Sequence, residues 1–110
     1  MMRPALSPAA SGLMRGLIGR AGVDRNRIYL TDFRSTDWQS LTFMGERHEI
    51  RLRVAAPGAS ELANRLVEGL DDMEWHLPGH LVADVALCGP PLPGPDESVL
   101  LSLEALTIAG

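Results

Sequence analysis

Three groups of residues in this sequence are of types that could do chemistry. His76, His80, Asp84 and Cys88 recur every four residues. On one helix they would line a single face and offer imidazole, carboxylate and thiolate groups to a metal ion. Pro78-Gly79 stands between the two histidines, and a helix does not run through that pair. Read as a strand, His80, Asp84 and Cys88 share a face, but each lies about 13 Å from the next along the chain. Ligands of one zinc ion sit about 2 Å from it. The spacing therefore assigns no metal site.

His48 is the second candidate. It falls on the apolar face of a predicted strand, where an imidazole is either a buried neutral histidine with a backbone partner or a general base in a pocket. No nucleophile or carboxylate can be placed beside it from sequence, so no reaction follows. A cavity holding His48 beside a second titratable side chain would favour the pocket.

Trp38, Arg47, Arg51 and Arg53 form the third group, on the opposite face of the same predicted hairpin. They could bind phosphate, nucleic acid or an acidic protein surface. Glu49 interleaves with them, and a solvated strand face would look the same. Trp38 opposite Arg53 would make a cross-strand cation–π pair. A net charge of −4 and a pI of about 5.2 disfavour nucleic acid.

The phosphate-loop and dinucleotide fingerprints are absent, as are a Cys-x-x-Cys pair and a Gly-x-Ser-x-Gly elbow. No cofactor is implied. All ten basic residues are arginine. That bias, with abundant Ala, Gly, Pro and Leu, points to a GC-rich, bacterial genome. It also weakens any functional reading of the arginines. Cys88 is the only cysteine, so no internal disulfide forms. A secretory signal is not expected, because the apolar stretch near the N-terminus is broken by Gly12, Gly16 and Gly19, and no apolar run nears the ~20 residues of a bilayer span, so a cytoplasmic location is expected.

The elements that must position these groups are legible in outline. A chain of 110 residues fits one domain, over 1–110. Residues 1–6 are expected to be a disordered tail. Ser7-Pro8 is a helix start, with Ser as N-cap and Pro at the first helical position. Leu13, Leu17 and Ile18 then recur at helical spacing. Gly12-x-x-x-Gly16 would permit close approach of another element, though a glycine-rich chain produces such pairs by chance. Residues 27–33 are rich in β-formers and read as a strand. Ser35-Thr36-Asp37 has turn chemistry.

Gly45-Glu46 is the strongest local signal. Glycine first in a two-residue loop suggests a type II′ turn joining strands 38–44 and 47–55. This register sets Phe43 opposite His48, Leu41 opposite Ile50 and Trp38 opposite Arg53. Leu41, Phe43, His48, Ile50, Leu52 and Val54 then share one face. Trp38, Met44, Arg47, Glu49, Arg51 and Arg53 share the other.

Beyond Pro57-Gly58, residues 60–71 form an amphipathic helix on Leu62, Leu66 and Leu70. His80–Cys88 reads as a strand with Leu81, Ala83, Val85 and Leu87 on one face. Residues 89–97 form a proline-rich loop. Val99, Leu101, Leu103 and Ala105 alternate, so 98–108 is expected to be a strand rather than a helix. The order αβββαββ describes a two-layer α+β sandwich, a mainly antiparallel sheet with helices on one face.

Residues 1–56 hold nine arginines against five acids, and residues 57–110 one arginine against nine acids. Opposite-signed halves favour association with a second copy. The expectation is a small, non-catalytic binding or protein-interaction module that self-associates as a homodimer through the arginine-bearing face, and that could also bind another protein. The alternative is a small enzyme or ligand-binding domain with a pocket around His48.

Overall fold

The computed structural model describes residues 6–110. It is an α+β sandwich, with a mainly antiparallel sheet and its helices packed on one face. The elements are α1 (Pro8–Gly19), a 3-10 turn (Gly22–Arg27), β1 (Ile28–Gln39), β2 (Met44–Val54), α2 (Ala59–Val67), a second 3-10 turn (Leu70–Asp72), β3 (His80–Leu87), β4 (Leu92–Pro93) and β5 (Val99–Ala109). The sheet order is β1-β2-β5-β3, with β4 pairing β5. Both β2 and β3 run antiparallel to β5. They are therefore parallel to each other, and α2 lies in the connection between them. Among the described residues no helix is long and apolar enough to cross a membrane. The expected tail over 1–6 lies outside the described residues except for Leu6, which is exposed and not helical.

Local chemistry sets the helix ends. The Ser7 hydroxyl accepts from Ala10 N at 3.1 Å and donates to Glu46 Oε1 at 2.9 Å, so the cap of α1 is also tied to β2. At the other end of α1, Arg20 reaches across to α2. Its guanidinium donates to the carbonyls of Leu66 (2.9 Å), Arg65 (3.4 Å) and Glu68. A cation thus satisfies carbonyls that the last turn of α2 leaves free. Asp24 adds a second tie, bonding Arg65 at 2.6 Å and Arg27 at 3.3 Å. These arginines hold the Asp24 carboxyl below its usual range.

The Gly12–Gly16 pair does make a close approach. A methyl group on Gly12 would lie 2.7 Å from Leu77 Cγ, and one on Gly16 would lie 2.6 Å from the Trp75 ring. The segment from Met73 to Leu77 crosses α1 there. The core forms between the two helices and the inner sheet face: Leu13 and Leu17 of α1, Leu62 and Leu66 of α2, and Ile50, Leu52, Leu101 and Leu103 of the sheet. Each such side chain contributes about 1.5–3 kcal/mol on burial.

The hairpin differs from its sequence-based register. The strands expected over 27–33 and 38–44 are parts of one long element, β1 and its turn. Ser35-Thr36-Asp37 is strand, not turn. The chain reverses at Ser40–Phe43, not at Gly45-Glu46. There Ser40 N donates to Phe43 O at 2.8 Å, and the Ser40 hydroxyl accepts from the amides of Phe43 (3.0 Å) and Thr42 (3.3 Å). A serine side chain closes this turn. Gly45 sits within β2 opposite Trp38 and Ile108. A Cβ there would overlap the Thr107 carbonyl oxygen and stand 2.9 Å from Trp38 Nε1. The glycine admits a neighbouring backbone rather than a turn.

The partners of His48, Ile50 and Arg53 are accordingly Ser35, Phe33 and Tyr29, not Phe43, Leu41 and Trp38. Leu41 and Phe43 lie outside the core, at 108% and 52% exposure. The expected helix over 60–71 ends at Val67, and the stripe continues to a buried Leu70 through the 3-10 turn after Gly69. In β3 a bulge at Ala83 switches faces, so Val82 and Val85 point inward while Leu81 is 65% exposed. That bulge also separates His80, on the helix side, from Asp84, on the open side. β5 is a strand throughout, with Val99, Leu101, Leu103, Ala105 and Thr107 buried in alternation. The proline-rich loop contains the short strand β4.

Candidate functional site

His48 is completely buried, on the helix side of β2, with Ser35 of β1 and Ala105 of β5 as its cross-strand neighbours. Both ring nitrogens are satisfied. Ser35 Oγ lies 2.8 Å from Nδ1 and Thr107 Oγ1 lies 2.9 Å from Nε2. Thr107 Oγ1 also donates to the Glu46 carbonyl at 3.4 Å. The chain of donors fixes the tautomer: Nε2–H donates to Thr107, and Nδ1 accepts the Ser35 proton. Burial pushes the His48 pKa down, with His80 adding to that and Glu46 opposing it. The imidazole is thus held neutral. Phe33, centred 5.9 Å away, packs against the ring at a tilt.

A groove of about 490 Å³ opens near this network, at the end of the sheet marked by Gln39, Met44 and Ala109. Asp37, Trp38, Met44, Glu46, His80 and Thr107 line it. His48 does not. Thr107 separates its ring from the groove, so the histidine has no access to a ligand there. Among the described residues no three His, Cys, Asp or Glu side chains converge as metal ligands.

The open face of the sheet holds the other candidates together. Trp38, Arg47, Arg51 and Arg53 all lie on it, as the sequence indicated, but in different company. Trp38 covers Gly45. Arg53 lies over the Tyr29 ring, 5.2 Å from its centre. Arg47 Nε is 3.6 Å from Glu104, and Arg34 is 4.0 Å from Glu49. Arg51 faces Asp32 across the β1–β2 ladder. The exposed thiol of Cys88 points at Glu104, 3.8 Å away. Burial and the nearby Glu104 and Glu49 carboxylates push its pKa up, away from a reactive thiolate.

β5 supplies the part of this face that sequence reasoning missed. Its outward row is Leu100, Ser102, Glu104, Leu106 and Ile108, all half-buried. Leu81 of β3 and Leu92 of β4 extend it as exposed apolar side chains. The alternation of Val99, Leu101, Leu103 and Ala105 marks only the inward row of β5. Its outward leucines gain their meaning only once β5 is known to be central.

The chain matches no protein-family model and no curated protein.

Proposed function

We propose that this chain is a non-catalytic protein-interaction domain whose contact surface is the open face of its sheet. The observation that carries this is the composition of that face. Leu81, Leu92, Leu106 and Ile108 stand beside Tyr29, Trp38 and an interleaved set of arginines and acids, with no helix over them. Aromatic residues and arginine with aliphatic neighbours are favoured in protein contacts.

Its outward charges are Arg34, Arg47, Arg51 and Arg53 against Asp32, Glu49, Asp84 and Glu104. Four cations and four anions cancel, which suits a protein partner and not a polyanion. The pocket alternative loses its base, because His48 is walled off and fully bonded within the fold. A single exposed thiol is compatible with a cytoplasmic setting.

Site-specific photo-crosslinking in cells tests this reading. A photoreactive residue at Glu49 or Ser102, on the open face, is expected to yield protein adducts. The same residue at Glu61 or Asn64, on the outer side of α2, is expected to yield none. Adducts from α2 alone, or from neither surface, would overturn it.

A further inference from the structure

Both free edges of the sheet are interrupted. Thr31 is an unpaired bulge in β1 and Ala83 an unpaired bulge in β3. The Thr31 hydroxyl donates to Arg51 O at 3.1 Å in place of a regular ladder bond. Bulged edges resist strand-to-strand addition of another chain. The open face has no such protection, and its charge is not evenly spread. The β1–β2 half carries Arg34, Arg47, Arg51 and Arg53 against Asp32 and Glu49, a net of two positive charges. The β5–β3 half carries Glu104 and Asp84, a net of two negative charges.

A surface divided in this way is complementary to itself. We infer that the open face binds a second copy of this chain, face to face about a two-fold axis that sets the β1–β2 half of each copy over the β5–β3 half of the other. The inference rests on the open face being a protein-contact surface. A two-fold contact uses the same patch on both copies, so each positive half meets a negative one twice. Leu106 and Ile108, in the central strand β5, lie near the seam between the halves, with Leu81 and Trp38 at one end of it. Two sheets pack face to face about 10 Å apart, which fits side chains of these sizes.

The face is small. Four strands ~4.8 Å apart, with about eight residues each at a ~3.3 Å rise, cover roughly 500 Å² in projection. Stable dimers bury about 800 Å² per partner. The dimer is therefore expected to be weak and concentration-dependent, with charge pairing contributing enough that salt loosens it.

Charge exchange between two variants tests the arrangement. Arg34→Glu with Arg51→Glu turns the positive half negative. Asp84→Arg with Glu104→Arg turns the negative half positive. Each double variant alone should repel itself and sediment as a monomer. An equal mixture should form a heterodimer, because every half then meets its opposite. Circular dichroism checks that both variants are folded. The wild-type chain gives an independent reading: its dimer should weaken several-fold between 0.1 M and 1 M salt, as the Debye length falls from about 10 Å to about 3 Å.

A wild-type chain that stays monomeric at all accessible concentrations overturns the inference. So does a dimer indifferent to salt, or a mixture that fails to associate. Photo-crosslinks from Glu49 or Ser102 to proteins other than this chain would, in those cases, leave the interaction surface standing and remove only the second copy as its partner.

Discussion

Ser35 Oγ and His48 Nδ1 face each other at 2.8 Å across the β1–β2 ladder, and the direction of that bond is set 59 residues further on, by Thr107. Two hydroxyls, one of them donating in turn to the Glu46 carbonyl, hold a fully buried imidazole in its neutral form. The arrangement has the outline of an activated serine, but its imidazole is fully buried. Its consequence is for stability.

A buried histidine whose pKa lies below its ordinary value favours the folded state as long as it is neutral. The unfolded chain takes up a proton near the usual 6.5, and the folded chain only at lower pH. The His48 contribution is thus fully present above pH 6.5 and is lost as pH falls through the depressed folded pKa. The urea midpoint should fall between pH 7.5 and pH 5. His48→Leu should flatten that dependence while lowering stability at pH 7.5 by about 1–3 kcal/mol, because the buried Thr107 hydroxyl and the exposed Ser35 hydroxyl lose their partner. Denaturation at several pH values checks both statements. An unchanged pH slope in the variant would show that another group carries it.

Arg20→Ala should cost about 1–2 kcal/mol by uncovering the carbonyls at the end of α2. Lysine should restore only part of this, since an ammonium cannot present a planar fork to several acceptors. Thermal melts of the two variants make the comparison. Each kcal/mol corresponds to about 4–8 °C in a domain of this size.

Two substitutions separate the observed hairpin from the one suggested by Gly45-Glu46. Leu41 is fully exposed within the turn, so Leu41→Ser should change stability by less than about 0.5 kcal/mol. Had Leu41 faced Ile50 in the core, the loss would be about 2–5 kcal/mol. Gly45→Ala should cost about 3 kcal/mol, because the new methyl group meets the Thr107 backbone.

The same hairpin explains how much could be read in advance. The sequence register sets Phe43 against His48, whereas the true partner is Ser35, eight residues earlier. Eight is an even slip, and side chains alternate with a period of two. His48, Ile50, Leu52 and Val54 therefore keep the inward face, and Trp38, Arg47, Arg51 and Arg53 keep the open one, despite wrong partners. Two features could not be seen. The close approach that demands glycine at 45 comes from β5, some 60 residues away, so it mimics a local turn signal. The bulges at Thr31 and Ala83 break alternation without a glycine or proline to mark them. The pairing of Arg47 with Glu104 was likewise hidden, because that acid is distant in sequence and meets the arginine only through the central position of β5.

Gly16 offers a spectroscopic test of the α1 crossing. A Cβ at this position would lie within 3 Å of two Trp75 ring carbons, and Trp75 is packed against the core. In Gly16→Val the indole must swing outward, since the helix backbone beneath it cannot retreat. Its emission should shift to the red in the folded state, and the melting temperature should fall. Gly19→Ala is the control, because nothing lies within 4 Å of that position. It should leave the emission unchanged, and removing a flexible residue near the end of α1 should slightly raise stability. The second tryptophan, Trp38, contributes a constant background at the far side of the sheet, and Trp38→Phe removes it. If Gly16→Val in that background keeps its emission maximum and its melting temperature, Met73–Leu77 does not lie on α1, and the Gly12–Gly16 pair is chance spacing after all.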